Sequence, residues 1–236
     1  MGGLTVGALL ARDGRRVLLL EAHDVPGGYA HTFRMRDYRF CAQVHYVFNC
    51  GEGESIHQLL DAIGLAGEVP FVRLDVEGFD HVIVGDERVR IPNGWTKFRE
   101  RMIHRYPHAA APLREYFRIV AAIADGLDAM PERLTPLVAA KSLYQQRHVI
   151  RHLRWTLEDL YDHVKMPSRL RAILAGQCGD YLLPPRDVSL LLHVALVVNY
   201  DRGAYYPKKH FYHFVESIAN YIQGRPGCEL LLEHEV

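Results

Sequence analysis

Apolar residues at positions 4, 8, 9 and 11 recur with the period of an amphipathic helix, and Asp13-Gly14 supplies its stop. The apolar run that follows, residues 16–21, reads as a strand closing on an acid, Glu21. Residues 38–40 and 44–48 read as short strands, and residues 55–63 as a helix stopped at Gly64. Residues 69–74, 79–84 and 88–91 predict a small antiparallel set, with Gly85-Asp86 turning the last two. From Thr96 to about Tyr200 the period is mostly helical, broken at Pro107, Pro112, Pro131, Pro136, Pro167 and Pro184-Pro185. Residues 214–223 predict a last helix, Gly224-Arg225-Pro226-Gly227 its stop, and residues 228–236 a last strand. The order predicts an α/β chain (α+β overall). Two end pieces, 1–66 and 203–236, enclose an inserted sheet-plus-helices region, 67–202.

Composition narrows the class. With 236 residues, 49% hydrophobic and 24% charged, the chain can bury a sizeable core as one large domain or two small ones. A net charge of zero and a pI near 7.3 give no electrostatic reason for a nucleic-acid partner. Cys41, Cys50, Cys178 and Cys228 show no C-x-x-C or Cys/His spacing, which implies free buried thiols in a reducing, cytoplasmic compartment and no metal site. The N-terminus has no basic n-region or cleavage site of a signal peptide. No run reaches the roughly 18 apolar residues of a membrane span, and residues 188–198, interrupted by His193, predict a buried helix. Residues 141–155 mix Arg147, Arg151 and Arg154 with apolar positions, as an interfacial helix at a lipid surface does; an ordinary surface helix with snorkelling arginines has the same pattern.

The chemistry lies at the glycines. Gly2-Gly3 before the first helix, and Glu21 at the end of the strand after it, match the second half of a dinucleotide-binding βαβ unit. There glycines admit a pyrophosphate to a helix N-terminus and the strand-end carboxylate accepts the adenosine ribose hydroxyls. A frayed helix start and a solvated strand end account for the same residues without a ligand. Pro26-Gly27-Gly28 adds a second place where backbone can approach a ligand closely.

From Gly2-Gly3 through Glu21 to Pro26-Gly27-Gly28-Tyr29-Ala30, the chain resembles the FAD-binding start of the phytoene desaturase and retinol saturase flavoproteins. A second block, Leu174 to Tyr181, Leu183-Pro184-Pro185, His193 and Gly203-Ala204-Tyr205-Tyr206-Pro207, runs in the order of bacterial retinol saturase-like proteins. The resemblance implies a Rossmann-like FAD-binding domain split around a substrate domain. It also implies FAD contacts at Gly2, Gly3, Glu21, Gly27, Gly28 and Val236, and an apolar polyene or lipid-like alkene exchanging hydride with flavin N5. His45 matches a histidine that follows the second glycine pair in relatives, and a hydrogen-bonded core histidine is the alternative. Tyr205 and Tyr206 would suit an aromatic wall for a flat ligand, or act as core aromatics. His210 and His213, at i and i+3, lack a third metal ligand and predict a solvated helix face.

The departures from the family are specific. Met1 stands where the opening strand and first two fingerprint glycines would end, and the chain stops at Val236 before the family's later strands and C-terminal flavin-contacting segment. The expectation is therefore of a βαβ unit without its first strand, in a fragment truncated at both ends. Cys41 and Gln43 replace an acid and a glycine, and Lys209-His210 replaces a glycine pair. A non-catalytic remnant that binds an apolar ligand or a complementary polypeptide is the rival to an FAD-dependent oxidoreductase. A nicotinamide-only dehydrogenase is disfavoured by Pro26-Gly27-Gly28. Oligomeric state is not legible.

Overall fold

The computed structural model describes residues 1–130 and 144–235. In chain order the first elements are α1 (Gly2–Arg12), β1 (Leu18–Leu20), β2 (Thr32–Met35), β3 (Tyr38–Cys41), α2 (Ser55–Ala62) and β4 (Phe71–Arg73). Then come β5 (Asp80–Val84), β6 (Glu87–Ile91), α3 (Trp95–Arg105), α4 (Ala110–Asp128), α5 (Arg147–Arg151), α6 (Leu157–His163), α7 (Ser168–Leu174) and α8 (Leu190–Arg202). The chain closes with β7 (Tyr205–Pro207), α9 (His210–Gln223) and β8 (Glu229–Leu231). It forms two compact units, Met1–Leu74 with Gly203–Val236, and Asp75–Arg202.

In the first unit β1 and β8 pair in parallel, Leu18 with Glu229, Leu19 with Leu230 and Leu20 with Leu231. The strand expected at residues 228–236 is confined to Glu229–Leu231, and these three residues do return beside the first strand. Helices α1 and α9 share a core with this sheet because both are amphipathic. Leu4, Ala8 and Ala11 of α1 share a core with Phe211, Phe214, Val215, Ile218, Ala219 and Ile222 of α9, in which each leucine, valine, isoleucine or phenylalanine side chain contributes about 1.5–3 kcal/mol when fully buried and each alanine less. The helix also lies close to the strand. A Cβ built on Gly7 would stand 2.9 Å from Leu19 Cδ1, so the small residue sets the approach.

Two strand expectations are corrected. Residues 69–74 do not join the antiparallel set: β4 pairs antiparallel with β7, Val72 opposite Tyr206, while β5 and β6 pair with each other. The Gly85-Asp86 turn gives β5 a partner next to it in sequence, whereas the pattern of β4 specifies a strand without specifying its neighbour. Phe71 stacks edge-on against Phe214 at 5.5 Å, so the first piece runs to Leu74 and not to residue 66. Residues 44–48 are not a strand either. Only Val47 is bridged, to Tyr205, and Asn49 turns to φ 60 and ends the extended run.

The second unit packs helices against one face of the β5–β6 hairpin. Leu113, Tyr116, Phe117, Val120 and Ile123 of α4 are buried with Leu157 and Leu160 of α6, Leu170 and Ile173 of α7, and Leu190, Val194 and Val197 of α8. Helix α6 is started by a capping box, in which the Thr156 hydroxyl accepts from Asp159 N and the Asp159 carboxylate accepts from Thr156 N. The expected buried helix around His193 is α8. The basic stretch differs from an interfacial helix: Lys141 to Leu143 lie outside the described residues, and beyond them the helix is five residues long, with Val149 buried and His152 packed edge-on against Trp155 at 4.6 Å. Pro131 and Pro136 also lie outside the described residues. Among the described residues no helix is long and apolar enough to cross a membrane.

Candidate functional site

Parallel pairing of β1 and β8 puts the carboxyl ends of both strands at one edge of the first unit, the place where α/β sheets take ligands. Glu21 follows β1 at that edge, its N–H donating to Leu231 O at 2.9 Å and its Oε1 accepting from His23 N at 3.1 Å. Helix α1 starts at Gly2 with no side-chain cap on its first turn, leaving backbone N–H groups available there. A Cβ on Gly2 or Gly3 would meet nothing within 4 Å, so open space faces both. Met1, Gly3, Leu4, Leu19, Leu20, Glu21, Pro26, Gly27 and Leu230 line a cleft of about 80 Å³. That is well below the roughly 300–1,000 Å³ of pockets that enclose whole ligands, and suits one portion of a long one.

Gly27 and Gly28 carry φ of 116° and 55°, and both lead into a 3-10 turn, Gly28–Ala30. The His31 ring fixes this turn, its Nδ1 lying 2.7 Å from Gly28 O, while Ala30 N donates to Gly27 O at 3.1 Å. Sequence reasoning missed His31, although a histidine three residues after a glycine pair is in reach of the glycine carbonyl. It also missed Gly7. Gly3, Glu21 and Gly27 line one cleft, Gly2 and Gly28 adjoin it in sequence, and Val236 lies outside the described residues.

The proposed substrate-side residues are more dispersed. His45 is exposed on an irregular segment, in place of the half-buried strand expected for it. Tyr205 and Tyr206 are neighbours on β7 and so turn to opposite faces, which prevents them from forming a single wall. Tyr206 packs edge-on against Phe211 at 5.2 Å and joins the first core. Tyr205 fits beside Gly51 and Gly203, where added Cβ atoms would each come within 2.7 Å of it. Burial raises the pKa of both hydroxyls, so both stay protonated. His210 adopts φ 74, a left-handed conformation that costs an L-residue about 1–2 kcal/mol. Its Nδ1 lies 3.3 Å from Thr32 Oγ1, whereas His213 Nε2 lies 2.8 Å from Glu68 O, so the two rings serve different partners.

The second motif block forms a buried polar chain in the second unit. His193 is fully buried on α8, with Nδ1 2.7 Å from the Tyr181 hydroxyl and Nε2 3.3 Å from the Tyr116 hydroxyl. Tyr181 also reaches Cys178 Sγ at 3.0 Å. Desolvation pushes the His193 pKa down to about 4 and raises those of both tyrosines and Cys178, so every member is neutral at ordinary pH. The four cysteines are free thiols, and burial with nearby Glu54 drives Cys50 up to about 12.

Residues 1–63 match the NAD(P)-binding Rossmann-like domain family. The chain is 26% identical over 219 residues to all-trans-retinol 13,14-reductase of Danio rerio, 88% of this chain and 36% of that protein. It is 28% identical over 220 residues to all-trans-retinol 13,14-reductase of Rattus norvegicus, 89% and 36% of the two, and 26% identical over 218 residues to that of Homo sapiens, 88% and 35%. The chain is thus a homologue of these reductases, in keeping with the resemblance to retinol saturase-like proteins. It spans about a third of the length of the curated relatives it matches, 36% of the first two.

Proposed function

We propose that this chain, as a homologue of the all-trans-retinol 13,14-reductases, holds FAD in its first unit and forms part of an oxidoreductase acting on carbon–carbon double bonds of a polyene or lipid-like alkene of retinoid or carotenoid type. The observation that carries this reading is the meeting of Gly3, Glu21 and Gly27 around one cleft at the carboxyl edge of a parallel strand pair. The residues fit a dinucleotide: a glycine start to α1 offers N–H groups to a diphosphate, Glu21 offers a carboxylate to ribose hydroxyls, and the Gly27-Gly28 turn admits close approach. The second glycine pair is what favours FAD over a nicotinamide alone. When bound, the flavin supplies hydride exchange at N5 with a substrate carbon. The protein's own tasks are then to orient the ligand and exclude water. His45 and Tyr205 are the side chains we assign to the substrate side, Tyr205 as a neutral hydrogen-bond donor.

Retention of flavin tests the reading. The chain incubated with excess FAD and desalted is expected to keep flavin absorbance near one equivalent, and Glu21→Ala to weaken that binding by roughly tenfold or more through loss of a charge-assisted hydrogen-bond acceptor. A folded, colourless protein that retains an adenine dinucleotide only in its nicotinamide form would overturn it.

A further inference from the structure

A broad cleft in the second unit gathers positive charge, although the chain as a whole is neutral. It runs between β6 and α3 and has a volume of about 790 Å³, within the roughly 300–1,000 Å³ of pockets that enclose whole ligands. Strand alternation turns Val89 and Ile91 into the core and leaves Arg88 and Arg90 together on the outward face of β6. Helical spacing, i and i+4, sets Arg101 and Arg105 on one flank of α3, beside the buried Phe98 and Met102. All four arginines line the cleft together with His104, and Glu77 is the carboxylate in its wall. The ion pairs around it leave a surplus. Arg90 meets Asp75 at 2.5 Å, Arg101 and Lys97 share Glu77, and Arg105 and Arg169 share Glu87. Arg88 has no carboxylate partner among the described residues and donates instead to His81 Nδ1 at 2.5 Å. Counting Arg88, six cationic side chains there meet three carboxylates.

We propose that this cleft binds a small organic diphosphate. A guanidinium fork matches two phosphate oxygens at once, and forks on both walls, Arg88 and Arg90 against Arg101 and Arg105, can grip two phosphates. A single carboxylate would leave most of the surplus charge unmatched, so the surplus selects a ligand with more than one anionic group. Arg88 is its first contact, because the only side-chain acceptor it gives up is the lone pair of a neutral imidazole. Between the arginines the wall is apolar, Val89, Phe98 and Met102, which suits an organic body better than a bare inorganic ion. The site lies wholly within the second unit. It goes beyond the flavin reading and does not depend on it, since phosphate titration and flavin absorbance are read separately.

Isothermal titration calorimetry of the whole chain with orthophosphate, pyrophosphate, ADP and geranyl diphosphate tests the proposal. Pyrophosphate is expected to bind about tenfold or more tighter than orthophosphate, and to weaken as salt rises from about 0.05 to about 0.5 M. ADP or geranyl diphosphate is expected to bind tighter still, and whichever does so identifies the body as a nucleoside or an isoprenoid. Arg88→Glu is expected to lower pyrophosphate affinity about tenfold or more, and Arg101→Gln, on the opposite wall, about fivefold, with unchanged circular dichroism melts. Should Arg88→Glu misfold, Arg101→Gln carries the test. Arg186→Glu, at an exposed arginine of the second unit outside the cleft, is expected to bind like the parent chain. Absence of pyrophosphate binding overturns the proposal, as does equal affinity for orthophosphate, or pyrophosphate binding tighter than that of both organic diphosphates. Binding that both arginine variants keep and saturating FAD removes belongs to the first unit and also overturns it. A poly-glutamate peptide bound through Arg88 and Arg101, with no pyrophosphate binding, would reassign the cleft to an acidic protein partner.

Discussion

Gly27 and Gly28 are adjacent, yet their surroundings differ enough to be told apart by one methyl group. At Gly27 φ is 116°, and a Cβ would press on both Val215 methyls at 3.0 Å and His31 N at 3.3 Å. At Gly28 φ is 55°, an ordinary left-handed value, and the nearest atom to a Cβ is Met1 N at 3.9 Å. Gly27→Ala is therefore expected to cost about 1–3 kcal/mol in urea unfolding and to weaken FAD binding, whereas Gly28→Ala costs about 1 kcal/mol. Equal losses would mean that the turn is not set at Gly27. Elsewhere Glu87, 13% exposed, is held by the Tyr106 hydroxyl, Arg169 at 2.7 Å and Arg105 at 2.9 Å. The Tyr106 hydrogen bond leads these in holding its pKa near 2 against an ordinary 4.5. A depressed carboxylate contributes stability that is complete above its unfolded pKa and is lost as pH falls through about 2. Glu87→Gln is expected to cost about 1–3 kcal/mol near neutral pH and to flatten the acid limb of the stability curve, read by urea midpoints at about pH 7 and about pH 3. Of the two sites only the first was legible in the sequence. Glu21, Gly27 and Gly28 announce themselves by spacing from a strand end, whereas the groups around Glu87 come from two separate segments, Arg105-Tyr106 and Arg169, that no local pattern links.

Elements meet where small residues let them. Gly7 faces Leu19 across the α1–β1 contact, and the nearest atom to an added Cβ is the end of a flexible side chain, Leu19 Cδ1 at 2.9 Å. Gly7→Ala is expected to be nearly neutral, because Leu19 can turn its methyl aside and alanine gains about 1 kcal/mol of helix propensity. Gly7→Leu has no such escape. It should wedge α1 from the sheet at a cost of about 1–3 kcal/mol, seen as a lower melting temperature, and should weaken flavin retention because α1 carries Gly2 and Gly3 to the cleft. A melt for Gly7→Leu equal to that of the parent would show that helix and strand are not held at this distance. Most elements could be read from periodicity, since α1, α2, α9 and the β5–β6 hairpin are each defined by neighbours in sequence. The pairing of β4 with β7 could not. Some 130 residues separate them, and β7 is only three residues long, Tyr205–Pro207.

At the scale of the molecule, that same pairing decides how the chain is assembled. The first unit is made from two pieces, and their junctions with the inserted unit are adjacent, Leu74 N donating to Ala204 O at 2.9 Å beside the β4–β7 ladder. Each unit also keeps its own hydrophobic core, one centred on α1 and α9, the other on α4 and α6 to α8. The connection across the junction can therefore be short. Replacing residues 75–202 by a Gly/Ser linker of about four residues is expected to leave the first unit folded, because the loop-closure entropy of so short a link is small. The shortened protein should still carry the cleft at Gly3, Glu21 and Gly27, and should retain FAD to the same extent as the whole chain, read by visible absorbance after desalting. Retention in the whole chain together with loss in a folded, shortened one would place part of the flavin site in residues 75–202, and the division of labour between a nucleotide-holding unit and an inserted unit would have to be redrawn.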